Sequence, residues 1–178
     1  MLGWAPLTPP HIKLNFDVAI GEGVSGLAVV CRDHMAKLLF IWTDLIKLDD
    51  PLMAEANAAL PAARKATEVG FQSVIVEGDS LKVIQAIQGI PKAYIWSIDN
   101  VIFDIRSLLS KLSFWNVSHV FRELNTAAHS VARCSLSCNR SGTIPISSIP
   151  SSIFMDWTEG ASSSVFLGFL SSVSLFGL

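Results

Sequence analysis

Three carboxylates stand at positions where an ordinary explanation competes with a chemical one. Asp17 lies in "IKLNFDVA", on the polar side of a strict alternation, and Glu55 lies in "LMAEANAAL", where its neighbours are nearly all apolar. Asp79 follows "SVIVEG", a short apolar run, and a helical pattern, "SLKVIQAI", begins at once. Each has a purely structural role open to it: a solvent-facing strand residue, a first-turn acid favoured by the helix dipole, a helix cap. Brought together, the three would form an oxygen-rich pocket for hard divalent cations. Spacing alone does not bring them together, so the elements that carry them must.

Those elements are legible. In the first strand Leu14, Phe16 and Val18 fall on one face and Lys13, Asn15 and Asp17 on the other. "GLAVVCR" and "KLLFIWTDL", joined by "DHMA", continue it as an antiparallel meander. A helix then opens with Asp50 as N-cap and Pro51 at its first position, and closes at Gly70. Its alanine-rich interior favours close approach to a sheet, and Pro61 should kink it. A strand "SVIVEG" and a helix opened by Asp79–Ser80 follow. Next comes a helix with Ile98, Ile102, Ile105, Leu109 and Leu112 at spacings of three and four. "FWNVSHVF" is a fifth strand, and Asn125 is placed to cap a last helix, "TAAHSVARCSLSC". The order β-β-β-α-β-α-α-β-α predicts one folded domain over residues 12–140. A proline-rich lead (1–11) precedes it, and a Ser/Pro-rich, apolar low-complexity tail (141–178) follows.

Composition narrows the classes further. Of 178 residues 51 % are apolar and 16 % charged, which excludes a disordered, highly charged chain. A net charge of −2 provides no global basic field, so nucleic acid would have to be drawn by a local patch or a bound cation. Three split cysteines fit a reduced intracellular protein better than a disulfide framework. Cys134 and Cys138 with His129 match no common zinc spacing. The N-terminus lacks the apolar core of a secretory signal. Residues 161–178 carry no charge, but six of them are serine, which reads as a low-complexity tail and not as a membrane span.

The blocks "KLNFDVA", "MAEANAAL", "VEGDS" and "HVFRELNTAAHSVAR", in this order, resemble the reverse-transcriptase-like type-1 ribonuclease H domain, specifically the branch found in plant non-LTR retrotransposons. The resemblance covers about residues 4–140 and includes the Trp- and Pro-rich lead. It implies an α/β fold with a five-stranded mixed sheet, three antiparallel strands then two parallel, flanked by helices. It implies an endonuclease that cuts the RNA strand of RNA–DNA hybrids with two Mg²⁺ (or Mn²⁺) ions held by Asp17, Glu55 and Asp79. Asp17 would bridge the ions, Glu55 would serve the nucleophile side, and Asp79 would hold the site from its strand end. His129 stands where the family has a fourth acid. The implied partner is an RNA–DNA hybrid or double-stranded RNA and no membrane, and the expected protein is a monomer in the nucleus or cytoplasm. A non-cutting nucleic-acid-binding module, or a retroelement relic of the same fold, is the alternative.

This chain departs from the family pattern at Val18, Ala28 and Ala36, where glycine is usual, and at His129. A neutral imidazole does not balance Mg²⁺ charge, though its ordinary pKa suits a proton shuttle; a helix-surface or core histidine is the competing role. Trp42, Trp96 and Trp115 read as core or rim aromatics, His119 as structural, and Glu77 at most as a supporting group behind Asp79. Lys13, Lys82 and Arg122 are candidate phosphate contacts.

Overall fold

The computed structural model describes residues 11–48, 50–90 and 95–148; the proline-rich lead, apart from His11, and the tail beyond residue 148 lie outside them. The strands are β1 (Ile12–Ile20), β2 (Ser25–Arg32), β3 (Leu38–Ile46), β4 (Ser73–Gly78), β5 (Phe114–His119) and β6 (Gly142–Ile144). They form one sheet in the order β5-β4-β1-β2-β3-β6. The meander β1-β2-β3 is antiparallel, and β4 joins β1, and β5 joins β4, in parallel. The expected mixed sheet is therefore present with six strands instead of five. The sixth, β6, pairs antiparallel with β3 and comes from the segment read as the start of the tail.

Among the described residues four α-helices cover the sheet: α1 (Pro51–Val69), α2 (Leu81–Gln88), α3 (Asp99–Leu109) and α4 (Thr126–Cys138). Both faces of β1 are consequently buried, which the alternation did not predict. Leu14, Phe16 and Val18 join Leu27, Val29 and Val76 in the core beneath α1, α2 and α3. On the opposite face, Ala19, Ala28 and Val30 meet Ala128, Val131 and Ala132 of α4. The polar residues of β1 thus lie under a helix and not in solvent.

The start and stop signals of α1 behave as expected. Asp50 accepts a hydrogen bond from Met53 N at 2.7 Å, and Gly70 ends the helix at φ 82°. Seven buried alanines, from Ala54 to Ala66, leave room for the helix to lie close on its neighbours. Pro61 is buried within a helix that continues unbroken to Val69, at the cost of the N–H that Asn57 O would otherwise receive. The long apolar stripe is buried throughout, but α3 itself is shorter than the stripe. Ile98 lies in a 3₁₀ turn before it and Leu112 beyond its end.

Two predicted caps are corrected. Ser80 occupies the N-cap of α2, yet neither it nor Asp79 donates or accepts a side-chain capping bond there. Asn125 occupies the N-cap of α4, but its side chain turns into the protein and binds Phe16 O and Asn15 instead. On the second strand, close approach of a helix to the backbone occurs at Gly26. A Cβ there would lie 2.6 Å from Ala132 O, so α4 rests directly on the β2 backbone.

Candidate metal centre

Asp17 projects from the middle of β1 toward α4, opposite Ala28 in register. Its two oxygens have separate partners: Oδ1 accepts from Val18 N at 2.7 Å, and Oδ2 lies 2.9 Å from His129 Nδ1. Asp79 follows the last residue of β4, where Gly78 lets the chain run close over Phe16. Glu55 reaches in from α1. One oxygen from each of the three lies within 4.8 Å of the others, and among the described residues this is the only group of three or more metal-ligating side chains.

The electrostatics of the trio are those of an acidic cluster out of water. Burial pushes the Glu55 carboxyl up to about 8, with the charges of Asp17 and Asp79 adding to it and Arg122 opposing. Asp79 is raised too, first by burial and then by Asp17; its own backbone N–H, Arg122 and His129 pull the other way. Glu55 Oε2 and Asp79 Oδ1 are buried with no hydrogen-bond partner. A buried carboxylate oxygen left without a donor is costly unless a cation meets it. Three hard oxygen donors, two of them with such an oxygen, fit Mg²⁺ or Mn²⁺ and do not fit a soft metal.

His129 joins this cluster through Asp17. Arg122 donates to its Nε2 at 3.3 Å. A guanidinium can only donate, so Nε2 must carry the lone pair and Nδ1 the proton. His129 therefore donates Nδ1–H to Asp17 and orients that carboxylate. The cleft over the site encloses about 630 Å³ and is lined by Asp17, Glu55, Asp79, Arg122, His129 and Arg133, among others. Arg133 was not singled out in the sequence. Its signal was present, since it stands four residues after His129 and so one helical turn further along the same face.

Other candidates resolve plainly. Lys13 is no phosphate contact: it is buried and pairs with Glu77 Oε1 at 2.9 Å. Glu77 points to Lys13 and Asn15, beneath the trio. Lys82 is exposed on α2 and does not line the cleft. His119 meets Asp79 O through Nε2 at 3.1 Å, a structural contact as read. Trp42 and Trp115 border the core, but Trp96 is 82 % exposed and belongs to neither core nor rim. Cys134 and Cys138 bring their sulfurs to 3.6 Å, while His129 turns away to Asp17.

Residues 15–135 match the family model described as reverse transcriptase-like. Among solved structures the chain resembles the RNase H1 of the halophilic archaeon Halobacterium salinarum NRC-1 (22 % identity, TM-score 0.66, 72 % of this chain and 98 % of that one). It also resembles the N-terminal RNase H domain of a Mycobacterium tuberculosis protein (19 %, 0.66, 72 % and 94 %). A third is LC11-RNase H1 in complex with an RNA/DNA hybrid (18 %, 0.65, 72 % and 98 %). At these identities the likeness is one of fold. No curated protein matches the chain.

Proposed function

Since this chain is a member of the reverse transcriptase-like family, we propose that it is a divalent-cation-dependent endonuclease that hydrolyses the RNA strand of RNA–DNA hybrids. The observation that carries this reading is the meeting of Asp17, Glu55 and Asp79 within 4.8 Å, in an open cleft, with two buried oxygens lacking any donor. A structural neighbour found in complex with an RNA/DNA hybrid supports the choice of partner.

Divalent cations held by the trio would supply a water-derived nucleophile at neutral pH and offset charge on the phosphate. The side chains do the rest. Asp17, with one oxygen accepting from the backbone N–H of Val18 and the other from His129, is held rigidly at the centre. Glu55, its carboxyl pushed up to about 8 chiefly by burial, suits the side from which water attacks. Asp79 holds the site from the end of β4. Arg122 and Arg133 bring positive charge to a cleft that a strand of phosphates must enter. Mg²⁺ is the ion read for the site, with Mn²⁺ as substitute. A hybrid is distinguished by groove shape and by 2′-hydroxyls on one strand only.

The reading extends to the plant non-LTR retrotransposon branch, on the resemblance of the sequence blocks, and to a monomer in the nucleus or cytoplasm. Among the described residues no helix is long and apolar enough to cross a membrane. A non-cutting binding module is the second reading, favoured by His129 where a fourth acid is usual.

The test is to incubate the full chain with a labelled RNA–DNA hybrid in Mg²⁺ and in Mn²⁺, beside Asp79→Asn. Cleavage of the RNA strand that disappears in the variant is the expected result. No cleavage in either metal by a cooperatively folded sample would sink the enzyme reading and leave the binding module, measured by hybrid affinity.

A further inference from the structure

Beneath the carboxylates lies a second polar layer, one step behind the first along each element that carries it. Asn15 stands two residues before Asp17 on β1, Glu77 two before Asp79, and Asn125 four before His129 at the start of α4. On a strand two residues, and on a helix four, return to the same face. All three are buried, Asn125 almost completely.

The layer has a direction. Glu77 is a carboxylate paired with Lys13, so it only accepts. Asn15 must then turn its Nδ2 toward Glu77 Oε2, at 3.0 Å, and the same amide nitrogen donates to Asn125 Oδ1 at 3.3 Å. With its oxygen engaged, Asn125 is left with Nδ2 facing β1, and it donates to Phe16 O at 2.9 Å. Its own carbonyl accepts the backbone N–H of His129 at 3.0 Å. A second directed chain runs from the other side, from donor-only Arg122 through His129 to Asp17. The two chains grip adjacent residues of β1, Phe16 and Asp17, from two positions one turn apart on α4.

We propose that Asn125 is a positioning residue of the metal centre: by binding Phe16 O it fixes the first turn of α4 against β1 and so sets His129 on Asp17, while Glu77 and Asn15 fix the direction of its amide. Its consequence for catalysis rests on the nuclease reading above; its geometric content does not. Loss of Asn125 frees the helix start to shift, and His129 then loses its fixed donor role toward Asp17. Partners of this outer kind typically change activity by about 10–100-fold when removed.

The experiment uses the metal-free, ¹⁵N-labelled full chain at one fixed pH and reads the protonated ring nitrogen of His129 by NMR, alongside steady-state cleavage of a hybrid in Mg²⁺. The wild type should hold its proton on Nδ1. Asn125→Ala should lose that single tautomer and lower kcat about tenfold with KM little changed. Asn125→Asp keeps the volume and the acceptor for Asn15 but cannot donate to Phe16 O; it should show the same loss, and it decides the matter if the alanine variant does not fold. A wild-type His129 without the Nδ1 proton would overturn the proposal. So would variants that keep the tautomer and kcat and merely melt earlier. If the wild type cleaves nothing, the nuclease reading falls, whereas the tautomer result still decides whether Asn125 holds His129 on Asp17.

Discussion

Gly78 and Phe16 are in contact so close that no side chain fits between them: a Cβ built on Gly78 would lie 2.3 Å from Phe16 Cζ. Phe16 is fully buried and cannot swing away. The contact fixes the height at which β4 ends, and Asp79 is the next residue. Gly78→Ala should therefore cost about 1–3 kcal/mol of stability, the usual range for overpacking a core. It should also weaken divalent-cation binding, because Asp79 is displaced from Asp17. Chemical denaturation and a cation titration of the same variant check both.

Glu55 predicts a pH dependence of stability. Its carboxyl is raised from 4.5 to about 8 in the folded protein. Between those values the unfolded chain has lost a proton that the native state keeps, so stability falls as pH rises. This contribution is complete below about pH 4.5 and gone above about pH 8. In the metal-free protein, Glu55→Gln should flatten the fall and raise stability at pH 8 by about 1–2 kcal/mol. Adding Mg²⁺ should stabilise the wild type at that pH and leave the variant nearly unmoved. Thermal melts at pH 5 and pH 8, with and without the ion, measure it.

Lys13 supports the fold from a buried position behind the carboxylates. It forms a buried pair with Glu77, and removing one member of such a pair leaves an uncompensated charge. Lys13→Met should cost about 3–5 kcal/mol. The salt dependence of hybrid affinity should not change, since no phosphate contact is lost. A shallower salt slope would show that Lys13 meets phosphate after all.

Ala36 holds a left-handed backbone, φ 65°, in the turn between β2 and β3. Asp33 organises that turn, its Oδ1 accepting from Met35 N and Lys37 N at 2.9 Å each. The conformation costs a residue with a Cβ about 1–2 kcal/mol. Ala36→Gly should recover about 1 kcal/mol, less the extra freedom gained by the unfolded chain. An unchanged melting temperature would contradict this.

The sequence disclosed periodicity and punctuation well and said little of what covers what. The strand alternation, the Asp50 and Gly70 boundaries and the block order yielded the mixed sheet and the candidate acids. The alternation of β1 also suggested a wet face at Lys13, Asn15 and Asp17. That failed because α4, distant in sequence, lies over it. Asn125 looked like a cap for the same reason: an asparagine before a helix has a local use, and its actual partners, Asn15 and Phe16, are 110 and 109 residues away. Gly26 and Gly78 gave no signal, because their requirement is a neighbour's proximity. Strand β6 was hidden by serine and proline on either side of only three residues.

The groups of the site are scattered along the chain, with Asp17 near one end and His129 and Asn125 112 and 109 residues away from their β1 partners. Synthesis releases the acids long before the helix that steadies them. A chain still on the ribosome, complete through Asp79, holds all the ligating carboxylates but has no α4 to close over β1. The centre proposed here thus joins the two ends of the folded region, and a nascent or truncated product that stops short of α4 carries the acids without the His129 and Asn125 contacts that hold β1 beneath that helix.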